Sequence, residues 1–142
     1  MQHFTYPVVL TPDESDGGFV VTCRDLPEAI TQGNSIAEAI EQAEGALQAA
    51  IESRIEDGME LPIPSRPRKG EHSVHVPIST AMKAALYIAM REQGVSKSEL
   101  ARRLGLDEKE ARRMLNPRYA TKVAALERAL HALGKRVEVV VG

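Results

Sequence analysis

Two helix starts and two helix stops fall between Gly94 and Pro117, too close together for anything but a pair of short helices joined by a tight turn. Ser96 is placed to cap the first helix, and Glu99, three residues on, completes a capping box. Val95 and Leu100 take the staple positions on either side of that cap. Leu100, Ala101 and Leu104 form the apolar side, and Gly105 stops the helix where the backbone needs a positive φ. Asp107 and Glu110 repeat the start signal. Ala111, Met114 and Leu115 make the second buried side, and Pro117 lies just past its end.

The solvent side of the second helix is as constrained as its core side. Lys109, Arg112, Arg113 and Asn116 recur at three- and four-residue spacing and share one face. A helix with that face suits the DNA major groove, because arginine contacts guanine bidentately while lysine and arginine hold phosphates. The alternative is a solvated amphipathic pair with ordinary surface charge. The Gly-centred turn, the small Ala101 at the crossing and the one-sided charge favour a helix-turn-helix. SKSELARRLGLDEKEARRML resembles the helix-turn-helix of phage repressors.

Charge divides the chain. Residues 1–65 carry 12 acidic and 2 basic side chains, net −10, whereas residues 66–142 carry 8 acidic and 16 basic, net +8. Such a change of sign marks two functional halves. Cys23 is the single cysteine, so neither an intrachain disulfide nor a cysteine-built metal site is available, and its strand-like neighbours suggest a structural thiol. No apolar run approaches the roughly 20 residues that span a bilayer. Met1-Gln2-His3 leads directly into a strand pattern rather than a signal peptide, and a cytoplasmic protein is expected.

In the acidic half, Phe4–Leu10 reads as a strand with Tyr6, Val8 and Leu10 on one face and with Pro7 pointing to an edge position or a strand start. TPDESDGG is a turn, Phe19–Cys23 a second strand, and Ala29–Gln32 a short third strand ended by Gly33-Asn34. The strongest helix signal is Ser35–Asp57. Ser35 and Glu38 make its capping box, and Ile36, Ile40, Ala43, Leu47, Ala50, Ile51 and Ile55 its stripe. Glu38, Glu41, Glu44, Glu52 and Glu56 lie largely off the stripe, forming either a solvated face or a surface for a basic partner. ELPIPSRPRKG is a stiff extended segment, after which Val74, Val76 and Ile78 alternate as a strand returning to the sheet. The fold expected is therefore α+β: a β-β-β-α-β domain over residues 1–78, then a mainly helical domain over residues 79–142 that ends in a strand.

That second domain opens with a helix over Ser79–Glu92, capped by Ser79 or Thr80, with Met82, Leu86, Ala89 and Met90 inward. After the central pair, Thr121–Leu133 forms a helix with Val123, Leu126, Leu130 and Leu133 on one face, stopped by Gly134. KRVEVVV closes the chain as a strongly β-forming run with no neighbouring strand in its half. An unpaired apolar strand is an aggregation hazard, so pairing with a second copy, and hence a homodimer, is expected. Whether dimers pair into tetramers stays open.

Little points to catalysis. His3, His72, His75 and His131 are scattered, and His72 and His75 fall on opposite faces of a strand start. No Walker loop, GxGxxG or GxSxG occurs, so no cofactor and no enzyme activity are expected. Asp13, Asp16 and Asp25 could gather for a nuclease Mg²⁺, but all three fall in turn segments where aspartate is favoured anyway.

The chain resembles HicB antitoxins of HicAB toxin–antitoxin systems, in the variant with a C-terminal helix-turn-helix. YPVVL, DGGFVVTCRDLPEAITQGNSIAEAIEQAEGAL and LPIPS carry the match in the first half, and SKSELARRLGLDEKEARRMLNPRYATKVAALERALHALGKRVEVVV in the second. The resemblance implies a partial RNase H-like N-terminal domain without nuclease function. That domain would block a HicA-type RNA-cleaving toxin through toxin-contacting residues that the resemblance does not identify. It implies a C-terminal domain that dimerises and binds the operator of its own operon. Base contacts then pass to Lys109, Arg112 and Arg113 and a phosphate contact to Lys97, with Asn116 on the same face. Arg118 and Lys122 join them on charge alone, and Glu108 either reads cytosine or faces solvent. Two other readings compete: a stand-alone repressor whose N-terminal domain senses a small ligand, and a nuclease with a DNA-targeting module.

Overall fold

The computed structural model describes residues 2–142. Its first half is built on four strands: β1 (Thr5–Pro12), β2 (Phe19–Cys23), β3 (Thr31–Gly33) and β4 (His72–His75). They make one antiparallel sheet in the order β3-β2-β1-β4. Because side chains alternate along a strand, the register Tyr6↔Val74, Val8↔Cys23 and Leu10↔Val21 puts the apolar members on a single face. Helix α1 (Ile36–Glu56) lies across that face and buries Ala39, Ala43, Leu47, Ala50, Ile51 and Ile55 against it. The stripe expected from spacing holds except at Ile36, whose first-turn side chain is exposed. The Ser35 hydroxyl caps α1 by accepting the Glu38 N–H at 3.1 Å.

Pro7 turns out to lie in an inner strand of the sheet rather than at its edge. The two neighbours of β1 overlap only at Val8: β4 pairs with residues 5–8 and β2 with residues 8–12. Pro7 is thus paired on one side only, and the sheet tolerates its missing N–H. The third strand sits further along than the sequence reading placed it. Ala29 and Ile30 belong to the preceding turn, and Gly33 is the last residue of β3 rather than its terminator. A Cβ on Gly33 would stand 2.4 Å from the Ala39 nitrogen, so only glycine lets α1 pack this closely on β3.

Four helices make the second half: α2 (Ile78–Gln93), α3 (Lys97–Leu104), α4 (Glu108–Leu115) and α5 (Val123–Ala132). The strand β4 ends before the residues expected to continue it, because Pro77 stands at the N-cap of α2, its carbonyl accepting the Ala81 N–H at 2.9 Å. Neither Ser79 nor Thr80 caps the helix, and Thr80 is buried inside its first turn. Buried nearly all round, α2 packs α1 with one side and α4 and α5 with the other. One apolar core consequently runs from Tyr6 to Leu133. The Tyr87 hydroxyl donates to the Met59 carbonyl at 2.7 Å and Arg91 to the Gly58 carbonyl at 2.9 Å, tying the chain after α1 to α2.

Residues 135–142 form no strand, which corrects the terminal element expected from KRVEVVV. A strand needs a neighbour to exchange backbone hydrogen bonds, and within one chain this segment meets none. Val139, Val140 and Val141 stay 70%, 72% and 90% exposed. No described helix is long and apolar enough to cross a membrane.

Candidate nucleic-acid interface

The candidate interface is assembled from three helices, of which α3 and α4 are started by side-chain caps. The Ser96 hydroxyl accepts the Glu99 N–H at 3.1 Å and starts α3. Gly105 turns the chain at φ 67°, and the Leu106 N–H returns to the Ala101 carbonyl at 2.9 Å. Asp107 then accepts the Glu110 N–H at 2.8 Å and starts α4. Leu100, Ala101 and Leu104 meet Ala111, Met114 and Leu115 in the core, with Leu126, Ala129 and Leu130 of α5 closing it. Two short helices joined by a tight glycine turn are thereby packed on each other, with α3 also against α5.

Lys109, Arg112 and Arg113 project from α4 into solvent along one stripe. Lys109 and Arg112 make no ion pair among the described residues, and the Arg113 guanidinium lies over the Tyr119 ring at 5.7 Å. Lys97 is exposed at the first turn of α3, and Lys122 is exposed at the N-cap of α5. Glu108 accepts the Ser98 hydroxyl at 3.1 Å, which ties it to α3. Glu99 is clasped by Arg102 and Arg103 at 2.6 and 3.0 Å, and their hydrogen bonds pull its pKa from 4.5 down to about 2.

Two members of the expected DNA-contacting set, Arg118 and Asn116, are engaged by the acidic half instead. Arg118 pairs with Glu52 and, at 3.3 Å, with Glu56, both on the acidic helix α1. Half-buried Asn116 gives its side-chain N–H to Glu56 at 3.4 Å and accepts the Arg118 backbone N–H at 2.9 Å. The exit of α4 is therefore fastened to the other half of the molecule.

Sequence reasoning passed over Lys83. It is 1% exposed, deep in α2, and its ammonium donates to the carbonyls of Asn116 at 2.6 Å and Tyr119, with the Arg113 carbonyl at 3.4 Å. A cation there meets the negative end of the α4 dipole and adds a second donor to the Arg113 and Asn116 carbonyls, which also accept the Asn116 and Tyr119 backbone N–H groups. Burial nevertheless holds its pKa below the ordinary lysine value. A signal was present: Lys83 shares three- and four-residue spacing with Leu86, Tyr87 and Met90, an inward arc where a lysine needs acceptors.

Two of the aspartates considered for a metal site, Asp13 and Asp25, are engaged by the chain itself. Asp13 accepts the N–H groups of Ser15 and Asp16 at 3.0 and 3.2 Å. Asp25 accepts both the backbone N–H and the hydroxyl of Ser65 at 2.7 Å, anchoring the proline-rich segment. Among the described residues no three His, Cys, Asp or Glu side chains converge as a metal site would need. Cys23 is buried beneath the sheet, which raises its thiol pKa.

Residues 5–85 match the family model of the HicB-like antitoxin of bacterial toxin–antitoxin systems. Antitoxin HicB of Escherichia coli K12 is 42% identical over 135 residues, covering 95% of this chain and 97% of that protein. The chain belongs to the HicB antitoxin family. Antitoxin HicB 2 of Photorhabdus laumondii is 40% identical over 139 residues, covering 98% of this chain and 97% of its own length. Antitoxin HicB of Pseudomonas fluorescens is 31% identical over 133 residues, covering 93% and 91%. The shared family supports an antitoxin role in a toxin–antitoxin system, with a toxin as partner. The similarity to these HicB proteins extends past the matched family model, through the helix pair and into the C-terminal helix.

Proposed function

We propose that this HicB protein has two working halves, divided at residue 78. Residues 1–78 bind and block a HicA-type RNA-cleaving toxin, and residues 79–142 bind operator DNA and so repress the operon that encodes both. The observation that carries the DNA reading is the stripe of Lys109, Arg112 and Arg113 standing in solvent on the second helix of a glycine-turned pair. Lys97 and Lys122 flank it as phosphate contacts, and Asn116 and Arg118 lie at its end. A net charge of −10 over residues 1–65 favours encounter with a basic toxin. The protein acts as a cytoplasmic homodimer, residues 135–141, exposed at Val139, Val140 and Val141, pairing with the same segment of a second copy.

Co-expression with a HicA-type toxin tests the two halves together. The protein is expected to restore growth and to co-purify with the toxin. Arg112→Ala combined with Arg113→Ala is expected to weaken binding to a duplex from upstream of the gene at least about tenfold, as two charged base or phosphate contacts would, while growth rescue persists. Footprints are expected as half-sites about 34 Å apart or a multiple of that. Loss of rescue and DNA binding together would refute the division into halves.

A further inference from the structure

Arg118 is held by two carboxylates of the acidic half. It sits just beyond the C-terminus of α4, on the segment whose Asn116 and Tyr119 carbonyls are held by Lys83. Its guanidinium is engaged by Glu52 and Glu56, one turn apart on α1. The carboxylates neutralise the cation and steer it toward the acidic half, and Asn116, bonded to both Glu56 and the Arg118 backbone, holds the link in register. Elsewhere on this surface Lys97, Lys109, Arg112 and Lys122 are exposed and unpaired among the described residues. Arg118 is thus a cation near the recognition helix that is withheld by the other half of the chain.

We propose that the Glu52–Arg118–Glu56 cluster is an autoinhibitory contact: α1 lowers the affinity of the C-terminal helices for nucleic-acid phosphate by occupying Arg118. This rests on the DNA-binding reading above. By linkage, any group that takes Glu52 and Glu56 away releases Arg118, and DNA that takes Arg118 exposes the two glutamates. The contact joins the two halves at their charged surfaces, and disrupting it leaves the apolar core untouched.

The test uses the full-length protein and a 30-base-pair duplex of mixed sequence, a probe rich in phosphate and free of assumptions about the operator. Glu52→Gln with Glu56→Gln is expected to tighten binding about threefold to tenfold and to steepen the log K against log salt slope by about 0.9, the signature of one added phosphate contact. The same pair of changes in an Arg118→Ala background is expected to leave the slope unchanged. Glu14→Gln with Asp16→Asn removes equal charge from the β1–β2 turn and is expected to leave the slope unchanged as well. An unaltered slope in the Glu52/Glu56 variant overturns the proposal, and so does an equal gain in the Arg118→Ala background or from the turn variant. Arg112→Ala with Arg113→Ala on the same duplex keeps the two readings apart. If those changes have no effect, the helix-turn-helix reading falls, while the response through Arg118 still decides the contact.

Discussion

Replacing Lys83 by methionine isolates what one buried cation does for the end of α4. Methionine keeps most of the volume and the unbranched stem, so packing within α2 is largely preserved. What is lost is the donor to the Asn116 and Tyr119 carbonyls, with the Arg113 carbonyl more distant. Two close charge-assisted bonds at about 1.5–3 kcal/mol each amount to roughly 3–6 kcal/mol. Methionine also removes the desolvation of the ammonium, which offsets several kcal/mol of that loss. The Tyr119 carbonyl loses its donor in a partly buried place, while the Asn116 and Arg113 carbonyls keep the backbone N–H groups of Tyr119 and Asn116, so the balance falls on the side of destabilisation, at about 2–3 kcal/mol. For a chain of this size that lowers Tm by about 4–12 °C, measured by calorimetry or thermal circular dichroism.

A pH series gives a second readout of the same substitution. The Lys83 pKa is lower in the folded protein than its ordinary 10.5, because burial disfavours the charge. Between the folded value and 10.5 the unfolded chain binds more protons, so this group makes stability rise with pH across that window. The methionine variant is expected to lack that rise. A variant as stable as the parent, or more so, would refute the account of α4 as held by Lys83.

Other consequences are open to direct measurement. Gly33→Ala brings a methyl to 2.4 Å from the Ala39 nitrogen, and is expected to cost about 1–3 kcal/mol in urea denaturation as α1 is pushed off β3; an unchanged midpoint would refute the close-packing account. The Glu99 carboxyl is expected to titrate near 2 by NMR, and Arg102→Ala to move its midpoint toward 4.5. Because the folded value is the lower one, the stability from Glu99 is complete above 4.5 and declines as pH falls toward 2. A midpoint already at 4.5 in the parent protein would show that the clasp by Arg102 and Arg103 does not form in solution.

Local chemistry made much of this protein legible from its residues. Ser35, Ser96 and Asp107 start helices because a short oxygen-bearing side chain can accept an N–H left open at a helix start. Gly105 ends one because it adopts a positive φ without strain. The apolar periodicity of residues 35–57 and 121–133 named the buried sides of α1 and α5 except at Ile36 and Val123, whose first-turn side chains stay exposed, and the alternation of Tyr6 and Val8 named the inner face of β1. The exposed stripe of α4 was readable for the same reason, since three- and four-residue spacing alone places side chains on a common face.

What the residues left undecided depended on groups far apart in the chain. Pro7 is acceptable in an inner strand only because two neighbouring strands happen to overlap at Val8. Gly33 is required by the nearness of α1, which no local pattern around it announces. KRVEVVV has the composition of a strand, but strand formation needs a partner edge that this half of the chain does not contain. The spacing of Lys83 places it on an inward arc, but only the fold sets the carbonyls after α4 above it. Spacing determines which side chains share a face; tertiary structure decides what that face meets. Arg118 shows the difference: its sequence position offers it to phosphate, and the packed halves give it to Glu52 and Glu56.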